Sequence, residues 1–135
     1  MKLLIVDDHA GVRAMIRELA PASLADVREC ATAEAALELA RAYAPDVVTM
    51  DARLPGLGGI EATRNLCTLQ PGVVVIVVSA FNLPAVRTAA LRAGAVEFVA
   101  KDELHKLRPM IARFGATIGG GSSVPPRSDC DTGGR

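Results

Sequence analysis

The sequence holds no tryptophan, one tyrosine and three phenylalanines in 135 residues. That scarcity leaves no row of aromatic faces on which nucleic-acid bases would stack. Neither charge is in surplus: 15 basic residues balance 15 acidic ones, so no general attraction to nucleic acid or an anionic membrane is expected. Cysteine is sparse. Cys30, Cys67 and Cys130 are odd in number and form no Cys-x-x-Cys pair, which argues against a disulfide framework and against a zinc site. Cys30 and Cys67 read as small core residues, and Cys130 as a tail thiol. Long apolar runs are missing too. Leu3 to Val6 is cut off by two acids, too short for a signal-peptide core or a bilayer span, so a cytoplasmic location is expected.

What is present is a chain 50% apolar, enough for one domain with a real core. Lys2 to Val6 reads as a buried strand, followed by a helix with Val12, Met15, Ile16 and Leu19 on one face and Pro21 closing it. Asp26 to Ala31 is a weaker, edge-like strand. Thr32 is placed to cap a second helix whose Ala33, Ala36, Leu37 and Ala40 form a shallow apolar stripe. A third strand ends at Asp51, and a third helix runs from about Gly59 to Gln70. Val73 to Val78 is six β-branched residues in a row, a strand ending in Ser79. A helix from about Leu83 to Ala93, stopped by Gly94, leads to a fifth strand, Val96 to Ala100. In the last helix Leu104, Leu107, Ile111 and Phe114 share a face, and Pro109 predicts a kink or a start near Arg108. Residues 1–114 form the domain. Residues 115–135, rich in Gly, Ser and Pro, read as a disordered tail or linker with no second domain.

Five β-α alternations imply a doubly wound parallel sheet, α/β in class, covered on both faces. Such sheets place ligands beyond the carboxyl ends of their strands. Those ends carry Asp7-Asp8, Asp51, Ser79 and Lys101. Taken singly, each has an ordinary reading as a cap, turn or surface residue, and His9 and His105 read as solvent-facing. Jointly they have a chemical logic. Clustered carboxylates repel one another until a hard divalent cation such as Mg2+ relieves the repulsion. A cation and a lysine beside a nucleophilic carboxylate would hold a transferring phosphoryl group from two sides.

Four segments carry a resemblance: Leu4-Ile5-Val6-Asp7-Asp8-His9, Met50-Asp51-Ala52-Arg53-Leu54-Pro55-Gly56, Val78-Ser79-Ala80 and Phe98-Val99-Ala100-Lys101-Asp102. In this order they resemble the signature segments of the response-regulator receiver domain, the phosphoacceptor module of two-component signalling. The Asp-Asp-His opening and Lys-Asp ending are most similar to receivers of LuxR-type regulators, which usually carry a C-terminal helix-turn-helix. The resemblance implies a flavodoxin-like sheet of order 2-1-3-4-5. It implies that Asp51 accepts a phosphoryl group from a sensor histidine kinase or phosphotransfer protein. Mg2+ (or Mn2+) would be bound by Asp8, Asp51 and the main-chain carbonyl of Arg53, with Asp7 acting mostly through water. Lys101 would pair with phosphoryl oxygens. Ser79 and Phe98 would form the switch, with Phe98 rotating inward, and the output face would be the fourth helix, fifth strand and fifth helix. That face would meet a downstream protein target, or a second copy through residues such as Arg87, Arg92, Glu97, Asp102, Lys106 and Arg108. Kinase choice would lie in Arg13, Arg17 and Glu18.

Some positions depart from the pattern. Gly58 stands where an acid is common, which would loosen the loop after Asp51, and Phe98 replaces the commoner tyrosine. Arg53 and Phe81 would flank the phosphoryl group and hinder its hydrolysis. Three other functions compete with a free-standing receiver. One is the regulatory half of a DNA-binding regulator, although nothing in these residues reads DNA. Another is an aspartate-nucleophile phosphatase, which would need a substrate pocket and usually a cap that the length does not provide. The third is a flavodoxin, whose phosphate the acids after the first strand would repel. The chain is expected not to be an enzyme acting on an external substrate.

Overall fold

The computed structural model of the chain describes residues 1–119 other than Ser23 and Ala25. Among the described residues five strands form one parallel sheet: β1 (Lys2–Val6), β2 (Asp26–Cys30), β3 (Val47–Asp51), β4 (Val74–Ser79) and β5 (Glu97–Ala100). Their order is β2-β1-β3-β4-β5, so the switch point lies between β1 and β3, and chain direction puts Asp7, Asp51 and Lys101 at one edge.

Strand residues alternate between two cores. Leu3, Ile5, Val47, Val74, Ile76 and Val78 face α1 (Ala10–Leu19) and α5 (Leu107–Gly119), where Ile16, Leu107, Ile111 and Phe114 fill the layer. Leu4, Val6, Val48, Met50, Val75 and Val77 face α2 (Ala33–Tyr43), α3 (Gly59–Leu69) and α4 (Pro84–Arg92). Small residues there, Ala36, Ala40, Ala62 and Ala90, bring those helices close to the sheet. Every residue of β4 is buried. At about 1.5–3 kcal/mol for each fully buried Val or Ile, that strand anchors both layers.

Caps set the helix limits. Thr32 Oγ1 accepts from Ala35 N–H at 3.1 Å, as its place before α2 predicts. Ala44, with φ 51°, turns the chain out of α2 just before Pro45. Gly94, with φ 115°, takes the left-handed conformation expected of it after α4. Arg108 crosses from α5 to cap α1, donating to the carbonyls of Glu18 and Leu19 at 2.9 and 3.2 Å.

Three expectations are corrected and one is met. Met15 is 52% exposed, because Ile16, one residue on, takes the core position under α1. Leu104 lies in a separate 3-10 segment, Lys101–Lys106, broken by non-helical backbone at Glu103, and α5 starts at Leu107. The start near Arg108 that Pro109 predicts is thereby met, and Pro109 falls in the first turn of α5, where a missing N–H removes no helical bond. Finally, α5 continues to Gly119, five residues past the expected domain boundary at 114. A single glycine costs a helix only about 1 kcal/mol, so Gly115 does not end it. The remainder of the expected tail, 120–135, with Cys130, lies outside the described residues. Cys67 is buried as expected, while Cys30 is half-buried, and burial raises its thiol pKa to about 11. No helix among the described residues is long and apolar enough to cross a membrane.

Candidate functional site

β3 carries Asp51 to the sheet edge and leaves its carboxylate 4% exposed. One oxygen, Oδ1, accepts from Arg53 N–H at 3.1 Å. The other, Oδ2, lies 3.5 Å from Lys101 Nζ, which comes from the end of β5 and also pairs with Asp7 Oδ2 at 3.0 Å. Asp7, buried at the end of β1, receives His9 N–H on Oδ1 at 2.8 Å. Asp8, next in the chain, is exposed. Oxygens of Asp7, Asp8 and Asp51 lie within 4.8 Å of one another. The structure thus brings together Asp7, Asp8, Asp51 and Lys101 from strands that are far apart in sequence.

Electrostatics make this cleft tense. Burial raises the Asp51 pKa to about 6, and the Asp7 charge adds to the rise, while the Arg53 N–H and Lys101 oppose it. Burial also works against the Lys101 charge, but its pairing with Asp7 and Asp51 outweighs this and holds its pKa above the ordinary value. Three carboxylates and one ammonium leave two negative charges uncompensated. An all-oxygen donor set with that deficit, one member open to water, fits a hard divalent cation that keeps part of its hydration shell.

The remaining expected residues surround this centre. Ser79, buried at the end of β4, accepts from Phe81 N–H on Oγ at 3.1 Å. Arg53 and Phe81 flank the cleft as one unit, the guanidinium 5.3 Å from the ring centroid. Phe98 is only 5% exposed and lies in the core layer, with the Arg87 guanidinium 5.7 Å from its ring. A switch driven by inward rotation of this ring therefore has little distance left to travel. His9 and His105 are exposed.

Three residues of the site had no signal in the sequence. Gly59 is one, because any Cβ there would overlap the main-chain carbonyl of Asp51. Four residues in a row, Gly56 to Gly59, include three glycines, and spacing alone does not say which of them touches the strand. Glu34, at the start of α2, accepts from Leu57 N–H at 3.3 Å and so ties down the loop after Asp51. That tether acts where the glycine at 58 was expected to leave the loop slack. Arg13, expected on the partner-reading surface, instead turns inward, donating from Nη1 to the main-chain carbonyl of Asp7. Several residues expected at a dimer face are likewise engaged within the chain: Glu97 with Arg113 at 3.1 Å, Lys106 with Glu103 at 3.1 Å, and Arg108 on α1.

Comparison with known proteins bears on the fold and the family. The family model described as response regulator receiver domain matches residues 3–112. The response regulator GacA of Pseudomonas aeruginosa is 37% identical over 105 residues, covering 75% of this chain and 48% of that protein. The chemotaxis protein CheY of Thermotoga maritima is 34% identical over 101 residues, covering 74% of this chain and 84% of that protein. A crystal structure of a LuxR-family two-component response regulator from an Aurantimonas species has TM-score 0.76 at 30% identity, over 96% of this chain and 92% of its own. The chain spans about half the length of the GacA proteins it matches.

Proposed function

Because the chain belongs to the family of response regulator receiver domains, we propose that Asp51 accepts a phosphoryl group from a sensor histidine kinase or phosphotransfer protein in a two-component pathway. The observation that carries this reading is the Asp51 carboxylate itself, buried at a strand end with one oxygen facing Lys101 and two further acids beside it. In the transfer, an Asp51 oxygen attacks phosphorus, the P–N bond of the phosphohistidine breaks, and the imidazole nitrogen keeps the electron pair. Lys101 turns from the carboxylates to the incoming phosphoryl oxygens. Asp8, Asp51 and the Arg53 carbonyl would hold Mg2+ or Mn2+, with Asp7 acting largely through water, and that cation would supply neutralisation of the phosphoryl charge. No external substrate is turned over.

Phosphorylation adds a charge of about −1.5 to −2 and new acceptor oxygens at Asp51. Ser79 responds most, because its hydroxyl, which accepts from the Phe81 N–H, has its own O–H to donate to the new oxygens. The displaced β4–α4 loop then alters the α4-β5-α5 face, where a downstream protein or a second copy docks in the cytoplasm. Phe98 contributes a small adjustment from its buried position. The test is intact mass after incubation with acetyl phosphate and Mg2+. A single phosphoryl adduct is expected, absent in Asp51→Asn; no adduct in a chain shown to bind Mg2+ overturns the assignment.

One observation favours a second reading. The GacA relatives are about twice as long as this match, so the same receiver also suits the regulatory half of a DNA-binding regulator. Stoichiometric binding of duplex DNA by these residues, falling steeply with salt, would move the assignment there.

A further inference from the structure

On the outer edge of the sheet, Glu29 of β2 holds two arginines of α1. Its Oε1 accepts from Arg13 Nε at 3.0 Å and its Oε2 from Arg17 Nε at 2.7 Å. Arg17 is half exposed and also reaches the Val27 carbonyl. Arg13 is different: its side chain is 19% exposed, and its second bond goes not to an acid but to the main-chain oxygen of Asp7. That oxygen belongs to the peptide joining Asp7 to Asp8. The other polar atoms of Asp7 are fixed as well, its N–H on the Cys30 carbonyl at 3.1 Å and its two carboxylate oxygens on His9 N–H and Lys101. Among the described residues Asp8 has no such support, and the peptide plane that leads into it is the one Arg13 grips.

We propose that Arg13, oriented by Glu29, is a positioning residue that aims the Asp7-Asp8 pair at the divalent cation. The inference rests on the receiver reading above and extends it to a residue outside the cleft. Its strength is that simple electrostatics predicts the opposite sign. Arg13 is a positive charge near a cation site, so removing it relieves repulsion and should tighten cation binding. If Arg13 works through geometry, removal weakens binding in spite of the charge. Groups that orient metal ligands from behind typically matter by about 10–100-fold in affinity.

The experiment is calorimetric titration of the full chain with Mg2+, alongside thermal unfolding in chelator as a separate measure of the fold. Arg13→Met is expected to weaken Mg2+ binding about tenfold. Arg13→Lys, which keeps the charge but loses the two-pronged grip, recovers only part of that loss. Glu29→Gln weakens binding about threefold, because Arg13 remains but is no longer held. Arg17→Met, which touches neither Asp7 nor Asp8, stays within about twofold of the parent. Arg13→Met binding Mg2+ as tightly as the parent, or more tightly, overturns the proposal and leaves the receiver reading standing. A parent chain that takes up no Mg2+ overturns both. Should Arg13→Met unfold in chelator, Arg13→Lys and Glu29→Gln decide by the same criterion, since both keep the surface polar.

Discussion

Two charged clusters lie within a few residues of each other and are unbalanced in opposite senses. At the sheet edge, one carboxylate, Glu29, meets two guanidinium groups. In the cleft, three carboxylates share one ammonium, that of Lys101. Their titration directions differ as well. Hydrogen bonding from Arg17 lowers the Glu29 pKa, while burial raises that of Asp51 to about 6. A cluster that satisfies its own charges is a brace. One that leaves two negative charges over is a site waiting for something positive, and Arg13 belongs to the first while gripping the backbone of the second.

Removing Lys101 sharpens the contrast most. Lys101→Met leaves three acids with no cation, and breaking a buried pair costs about 3–5 kcal/mol. The variant should unfold at lower denaturant than the parent when chelator is present, and Mg2+ should restore more stability to it than to the parent. Its phosphorylation by acetyl phosphate should slow about 100-fold, the scale of losing one stabilising group from a charged transition state. A variant as stable as the parent in chelator would mean that Lys101 does not neutralise the acids.

Backbone packing gives the next largest effect. Gly59→Ala drives a methyl into the Asp51 carbonyl, whereas Gly58→Ala meets nothing within 4 Å. Overpacking of this kind costs about 1–3 kcal/mol, so the first variant should lose that much in denaturant unfolding and the second almost none. Equal stability for the two would show that α3 can move away from β3 without cost.

These contacts also mark where sequence reading stops. The run of β-branched residues at Val73 to Val78 and the acids at the strand ends are local patterns, so sheet, order of elements and cleft were legible. Gly59 against Asp51, Glu34 on Leu57 and Arg13 on Asp7 join segments through backbone atoms. A backbone carbonyl has no letter in a sequence, and nothing in the letters distinguishes an arginine that reads a partner from one that grips a turn. The surface position of Met15 and the 3-10 segment after Lys101 depend on how tightly α1 and α5 pack, which periodicity alone does not specify.

The two clusters also predict opposite pH responses. Asp51 binds a proton more tightly folded than unfolded, so its contribution is fully present below about pH 4 and is lost as pH rises through about 6. Glu29 runs the other way, contributing above its unfolded value of 4.5 and losing that contribution as pH falls. Without a divalent cation the chain should therefore be more stable near pH 5 than near pH 7. Asp51→Asn should remove the difference and gain about 1–3 kcal/mol at the higher pH, at 1.36 kcal/mol per pKa unit. Glu29→Gln should keep the difference while losing under about 1 kcal/mol throughout, as a partly exposed pair does. With saturating Mg2+ the slope should reverse, because proton and cation compete for the same oxygen. A parent chain with no change in stability across this range would show that Asp51 ionises as freely as an exposed acid.

The smallest effect concerns the rim of the cleft, which neither cluster supplies. Arg53 lies over Phe81, and both sit two residues beyond a strand-end group, Asp51 and Ser79. A stacked pair of this kind is worth about 0.5–1 kcal/mol at an exposed site, enough to hold the two side chains over the approach to Asp51 much of the time. On the proposed acyl phosphate, attacking water would have to pass them. Phe81→Ala should free Arg53 from its platform and shorten the phosphorylated lifetime by about two- to fivefold, the rate equivalent of that energy. Arg53→Ala should do the same, and the double variant should add little to either, because each loses the same stack. Lifetimes come from the decay of the phosphoryl adduct after acetyl phosphate is removed. Additive effects of the two substitutions would mean that each side chain shields the phosphate independently, and the stack would be incidental to the chemistry beneath it.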